Sequence, residues 1–169
     1  SISRYAILQE NIVIGSGSTI SNKVSMIRTV IGRECVIGSN TQLNNSYLWN
    51  NVTIEDEVTI NYSTLCDHVV VKKGARVNRG CVLSYGVVIG ENIIIPEYTR
   101  ISLIKHFDED SMSEVAKDFE SCTLKQSNSK DVTDYDYDYE IVGKDGKGYV
   151  FNYKDGSDNE ELLLEDEEE

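Results

Sequence analysis

Proline occurs once, at Pro96, and histidine twice, at His68 and His106, in a chain of 169 residues. A backbone almost free of proline keeps its N–H donors, as a chain of hydrogen-bonded strands needs. Two histidines cannot complete a three-histidine zinc site unless cysteine or carboxylate substitutes, so no metal is expected. The cysteines, Cys35, Cys66, Cys81 and Cys122, have no CxxC spacing, which disfavours zinc-ribbon and redox motifs and leaves structural thiols as the reading. No apolar run of about eighteen residues exists, and the N-terminal SISRYAIL has no signal-peptide character. The expectation is therefore a cytoplasmic protein with no membrane partner. No phosphate-binding glycine loop is present either, because Gly15, Gly17, Gly32, Gly38 and Gly90 punctuate turns instead of leading a strand into a helix. No cofactor is expected.

What the sequence does contain is a repeat. In Ile31 to Leu48, IGRECVIGSNTQLNNSYL, aliphatic residues recur every six positions at Ile31, Ile37 and Leu43, a period that fits neither a helix nor simple strand alternation. One column runs Ile14, Ile31, Leu48, Leu65, Leu83, Ile101 in steps of 17, 17, 17, 18 and 18 residues. Two others run Ile2, Ile20, Ile37, Ile54, Val71, Ile89 and Leu8, Met26, Leu43, Ile60, Val77, Ile95. Three columns imply a three-sided coil of short strands, stacked in parallel about 4.8 Å apart. Small or aliphatic residues four positions on, such as Ser18, Cys35, Val52 and Val69, should also point inward. Gly, Asn and Ser directly after the corner aliphatics suit the positive φ that a tight turn demands. The 17-residue coils all shorten on one side, at MIRTV, LNNSY and INYST.

Two surface features follow from this register. Asn44, Asn61 and Asn78 form a structural column, as turn formers whose amides can bond from coil to coil. Trp49 takes a corner where other coils place Gly15, Gly32, Cys66 or Ser84, with Tyr47 and Tyr62 near the same edge. These three aromatics are the candidate interface residues, against the simpler reading of local packing on the adjacent coil.

Catalytic chemistry finds no such support. His68 falls on an outward position and no long loop interrupts Ile31 to Ile101, so no catalytic residue is assigned and the chain is expected not to be an enzyme. Glu55 and Glu57 read as solvated carboxylates.

Composition divides the chain after Ser102. Residues 1–102 carry 9 basic against 8 acidic side chains, and residues 103–169 carry 7 against 21. That balance argues against direct, sequence-independent nucleic-acid binding. The expected organisation is a solenoid domain over 1–104 and an acidic extension or linker over 105–169. The extension is mostly irregular, with a helix over 111–122 and a hairpin over 140–153 around Asp145 and Gly146. Because Ile2 and Leu8 already sit in the repeat, the chain reads as part of a longer polypeptide.

The segments ILQENIVIGSGSTI, TVIGRECVIGSNTQLNNSYLWNNVTI, STLCDHVVV and EIVGKDGKGYVF resemble the left-handed β-helix region and following linker of the epsilon subunit of eukaryotic translation initiation factor 2B. The resemblance, covering most of the chain, implies an all-β fold, a left-handed parallel β-helix of five to six coils. The left hand comes from the resemblance, since parallel crossovers are generally right-handed. It also implies a non-catalytic scaffold in the guanine-nucleotide exchange factor for initiation factor 2. The exchange domain, a C-terminal helical repeat, and the nucleotidyltransferase-like domain are both absent. The implied partners are the gamma subunit and the regulatory subunits, with initiation factor 2 reached through the parent complex. The alternative is the C-terminal hexapeptide-repeat domain of a sugar-nucleotide pyrophosphorylase or acyltransferase.

Overall fold

A computed structural model of the chain describes residues 1–105 and 137–151. The helix expected over 111–122, His106, Cys122 and the acidic run after Phe151 lie outside the described residues.

Short parallel strands stack into three flat faces around a triangular core. The first face holds Ile7–Leu8, Ser25–Ile27, Gln42–Asn44, Thr59–Asn61, Arg76–Val77 and Ile94–Ile95. The second holds Val13–Ile14, Val30–Ile31, Tyr47–Leu48, Thr64–Leu65, Val82–Leu83 and Arg100–Ser102, and the third Thr19–Ile20, Val36–Ile37, Thr53–Ile54, Val70–Val71 and Val88–Ile89. The strands pair in the register of the hydrophobic columns, with Ile31 opposite Leu48, Ile37 opposite Ile54 and Leu43 opposite Ile60. Each strand presents one residue outward and the next inward, and the inward column residues from Ile20 to Ile101 are buried. Each buried aliphatic contributes on the order of 1.5–3 kcal/mol.

The corners differ from the expectation in one respect. Positive φ does not fall directly after the inward aliphatic. It falls two or three residues on, at Lys23, Arg28, Glu34, Asn40, Asn45, Asn51, Glu57, Tyr62 and His68 among others. A glycine directly after the aliphatic has another cause. A Cβ on Gly32 would come within 2.6 Å of the Trp49 carbonyl carbon in the coil above. Close approach of backbones, not left-handed geometry, selects glycine there.

The shortened side is the edge between the first and second faces, and it carries a feature absent from the sequence reading. In those coils the inward corner residue is Thr29, Ser46 or Ser63, each buried. Thr29 Oγ1 donates toward Ile27 O at 2.9 Å and Leu43 O at 3.1 Å, and Ser46 Oγ donates to Asn44 O at 2.8 Å. Ser63 Oγ is shared between Asn61 O at 2.7 Å and Asn78 O at 2.8 Å. Buried hydroxyls at full-length corners do the same, Ser18 donating to Gly32 O at 2.9 Å and Thr41 to Glu55 O at 3.2 Å, so a small inward donor satisfies corner carbonyls without added volume on both kinds of edge. The longer edges place Ile12, Cys81 and Thr99 at that position.

Residues 137–151 close the C-terminal end of the coil. Of the hairpin expected over 140–153, the described part, 140–151, does not pair with itself. Tyr139–Val142 makes one turn of helix, and the strand Tyr149–Val150 pairs antiparallel with Arg100–Ser102 instead of with residues 140–143. The solenoid end explains the difference: it offers an apolar pit, which Val142 fills at 0% exposure, and unpaired strand edges, which the segment completes.

Candidate interaction surface

The outward positions of the second face form a continuous column. Register places Val13 beside Val30, Val30 beside Tyr47, Tyr47 beside Thr64, Thr64 beside Val82 and Val82 beside Arg100. Strand alternation thus sets a β-branched and aromatic ladder on the flat exterior, uncharged until its last member. Val13, Tyr47 and Val82 are exposed. Trp49 stands at the edge toward the third face and Tyr62 at the shortened edge, one coil on. The three sequence candidates therefore span one face instead of forming a cluster: Tyr47 on it, Trp49 and Tyr62 at its two borders, at 57%, 53% and 61% exposure.

Tyr62 holds a further clue. Its φ is +46°, and the equivalent corner position in the coil before it is Asn45 at +49° and in the coil after it Gly80 at +74°. Local preference favours Asn or Gly in that conformation, whereas a bulky aromatic is disfavoured. The tyrosine sits there against the local backbone preference.

The Asn column is bonded at one of its two steps. Asn44 Nδ2 donates to Asn61 Oδ1 at 2.9 Å. Asn78 lies past the end of its two-residue strand, and its backbone carbonyl accepts from Ser63.

The remaining reactive groups are occupied in architecture. His68 is exposed at a corner with φ +61°, its ring edge-on to Tyr85 at 5.2 Å between centroids. The Cys35 and Cys81 thiols donate to Trp49 O at 2.9 Å and Pro96 O at 3.0 Å, and burial pushes both, and that of Cys66, above the ordinary thiol range. Glu55, read from sequence as solvated, is half-buried, and its Oε2 accepts the Lys73 backbone N–H at 2.9 Å. Glu57 does stand in solvent, 3.5 Å from Lys73 Nζ. Among the described residues no group of three or more His, Cys, Asp and Glu could hold a metal ion. One depression of about 260 Å³ is lined by Val82, Ser84, Arg100, Ile101, Ser102 and Phe151, and one of about 350 Å³ lies on the third face over Gly38. Neither has a histidine in its lining. Among the described residues no helix is long and apolar enough to cross a membrane.

Fold and surface together define a hexapeptide-type parallel β-solenoid that presents flat, partly apolar faces. Residues 1–95 match the family described as "EIF2B subunit epsilon LbH domain", where LbH denotes the left-handed β-helix, and the chain belongs to that family. Among solved structures the chain is similar to AntD, an N-acyltransferase from Bacillus cereus in complex with dTDP and 3-hydroxybutyryl-CoA. That match has 15% identity and a TM-score of 0.56, covering 73% of this chain and 88% of that one. It is also similar to a hexapeptide transferase family protein from Anaplasma phagocytophilum, at 16% identity and a TM-score of 0.51, covering 72% and 87%. At these identities the likeness is one of fold alone.

Proposed function

We propose that the chain is a non-catalytic scaffold of the exchange factor for translation initiation factor 2, acting in the cytoplasm through contacts with the gamma and regulatory subunits. Initiation factor 2 is reached through the assembled complex, and neither nucleic acid nor membrane is a direct partner. The observation that carries the reading, beside family membership, is the second face: an exterior ladder of Val13, Val30, Tyr47 and Val82 with Trp49 and Tyr62 on its borders. Tyr and Trp are enriched among the residues that carry protein–protein binding energy, and a partner seated across this face would bury them. The supporting test is GDP release from initiation factor 2 in the presence of the 169-residue chain alone. No acceleration is expected. Release above the spontaneous rate would overturn the scaffold assignment.

The acyltransferase reading shares the fold and demands more. It needs a general base facing a substrate groove between subunits. His68, edge-on to Tyr85 on a corner, is the histidine available among the described residues. Homotrimerisation together with acyl transfer from coenzyme A would favour that reading.

A further inference from the structure

We propose that the C-terminal end of the solenoid is a peptide-binding site, and that residues 137–151 are its tethered ligand and not an integral layer of the core. The proposal is independent of the scaffold reading. The segment joins the solenoid through residues 106–136, where the hexad is absent, and the family match ends before it, at residue 95.

Its manner of attachment is that of an added peptide. All solenoid strands pair in parallel, whereas Tyr149–Val150 runs antiparallel to Arg100–Ser102. Main-chain bonds join it to the edges of two faces. Val88 and Lys147 exchange N–H to O bonds of 3.0 and 2.8 Å on the third face, and Phe151 N–H donates to Arg100 O at 2.8 Å on the second. Between them Gly90 N–H donates to Val142 O at 2.7 Å. Main-chain pairing supplies affinity in this mode, and inserted side chains supply selectivity.

Selectivity is written in one plug and three glycines. Val142 is the segment's fully buried side chain and joins the core cluster with Ile95 and Ile101. Gly143 has φ +87°, and a Cβ there would stand 2.7 Å from Ile93 Cγ1. A Cβ on Gly148 would collide with Ile101 Cγ2 of the solenoid, and one on Gly146 would collide with Val142 O, so that glycine serves the segment's own tight turn. Lys144, Asp145 and Lys147 between them are exposed. The ligand class is therefore a turn-forming peptide of the pattern Val-Gly-x-x-Gly-x-Gly followed by a strand, its turn closed by the Gly146 N–H donating to Gly143 O at 2.9 Å. The segment also holds its own shape: Asp138 N–H donates to Gly148 O at 3.0 Å, and Asp138 Oδ2 accepts from Val150 N–H at 2.6 Å.

The test uses the full chain carrying Val142→Asp, which should expel the segment, and a synthetic peptide of residues 137–151. Retention of a cooperative melt by the variant is expected, with saturable binding of the peptide. Binding to the unmodified chain should be at least tenfold weaker, because its own segment competes, and a peptide with Gly146→Val should not bind. Loss of cooperative folding, absence of saturable binding, or equal binding by the Gly146→Val peptide would each overturn the proposal. Hydrogen exchange on the unmodified chain gives a second reading without substitution. The amides of Gly90, Lys147 and Phe151 should exchange together at least tenfold faster than those of Tyr47 and Trp49, as a separately opening unit. Equal protection would make the segment part of the core and overturn it too.

Discussion

The side-chain amide of Asn44 donates to that of Asn61 across 2.9 Å, linking two coils at the shortened edge, while Asn78 in the next coil lies beyond its strand. The cause is the length of the edge. Coils that pass from first to second face in fewer residues keep Asn44 and Asn61 in paired strands, and the longer edge after Val77 releases Asn78. Asn61→Ala should therefore cost about 1 kcal/mol for the lost half-buried bond. Asn78→Ala should stay within about 0.5 kcal/mol. Chemical denaturation of the two variants beside the parent measures the difference.

Ile54 sits inside the prism at 1% exposure, between Ile37 below and Val71 above. Ile54→Asp puts an unpaired carboxylate among aliphatic side chains, a cost of several kcal/mol that a marginally stable fold does not absorb. The cooperative thermal transition should disappear. Thr53→Asp, one residue earlier and facing outward, should retain it. A preserved transition in Ile54→Asp would contradict the coil register.

Tyr62 opposes stability and surface to one another. Because its φ of +46° suits asparagine better than tyrosine, Tyr62→Asn should raise stability by about 1 kcal/mol. The same change removes an exposed ring from the border of the second face, so association with the partner subunits should weaken. Thermal denaturation and co-purification of one variant read both effects. A lower melting temperature would mean that the ring packs on its own coil.

The buried thiols make stability fall in alkali. Cys35 and Cys81 are held above the ordinary value of 9.0 chiefly by burial, so the folded state keeps its protons where the unfolded chain has released them. Stability is then full below about pH 9 and declines as pH rises from there through the folded values. Cys35→Ala with Cys81→Ala should flatten the fall in melting temperature as pH rises above the ordinary thiol value of 9.0. An unchanged slope would place the alkaline loss elsewhere.

The coil was readable because each inward position repeats in one chemical class: Ile31, Leu48 and Leu65 could be aligned by counting. Thr29, Ser46 and Ser63 escaped the same count because the shortened edge places them three residues after Met26, Leu43 and Ile60, whereas the inward small residues elsewhere, such as Ser18, follow four residues on. Their shared place in the three shortened coils, one residue before the second-face strand, was the available signal. Residues 140–153 misled for the opposite reason. EIV and YVF flanking Asp145–Gly146 satisfy a local hairpin pattern, but the apolar pit above Ile101 and the free edge at Arg100–Ser102 offer Val142 and Val150 more than they offer each other. Gly143 and Gly148 marked a close approach to another surface, and Gly146 a tight turn of the segment on itself. Tyr47, Trp49 and Tyr62 could be placed outside by register, and Tyr62's backbone conformation required the structure.

The most direct measurement is the solution mass of the 169-residue chain, alone and mixed with the gamma and regulatory subunits, for the parent and for Trp49→Ala. The expected result is a heteromeric complex with the parent and a weakened one with Trp49→Ala, whose melt stays within about 0.5 kcal/mol of the parent as for an exposed side chain. A homotrimer indifferent to the added subunits, or a Trp49→Ala chain that associates as well as the parent, would contradict it.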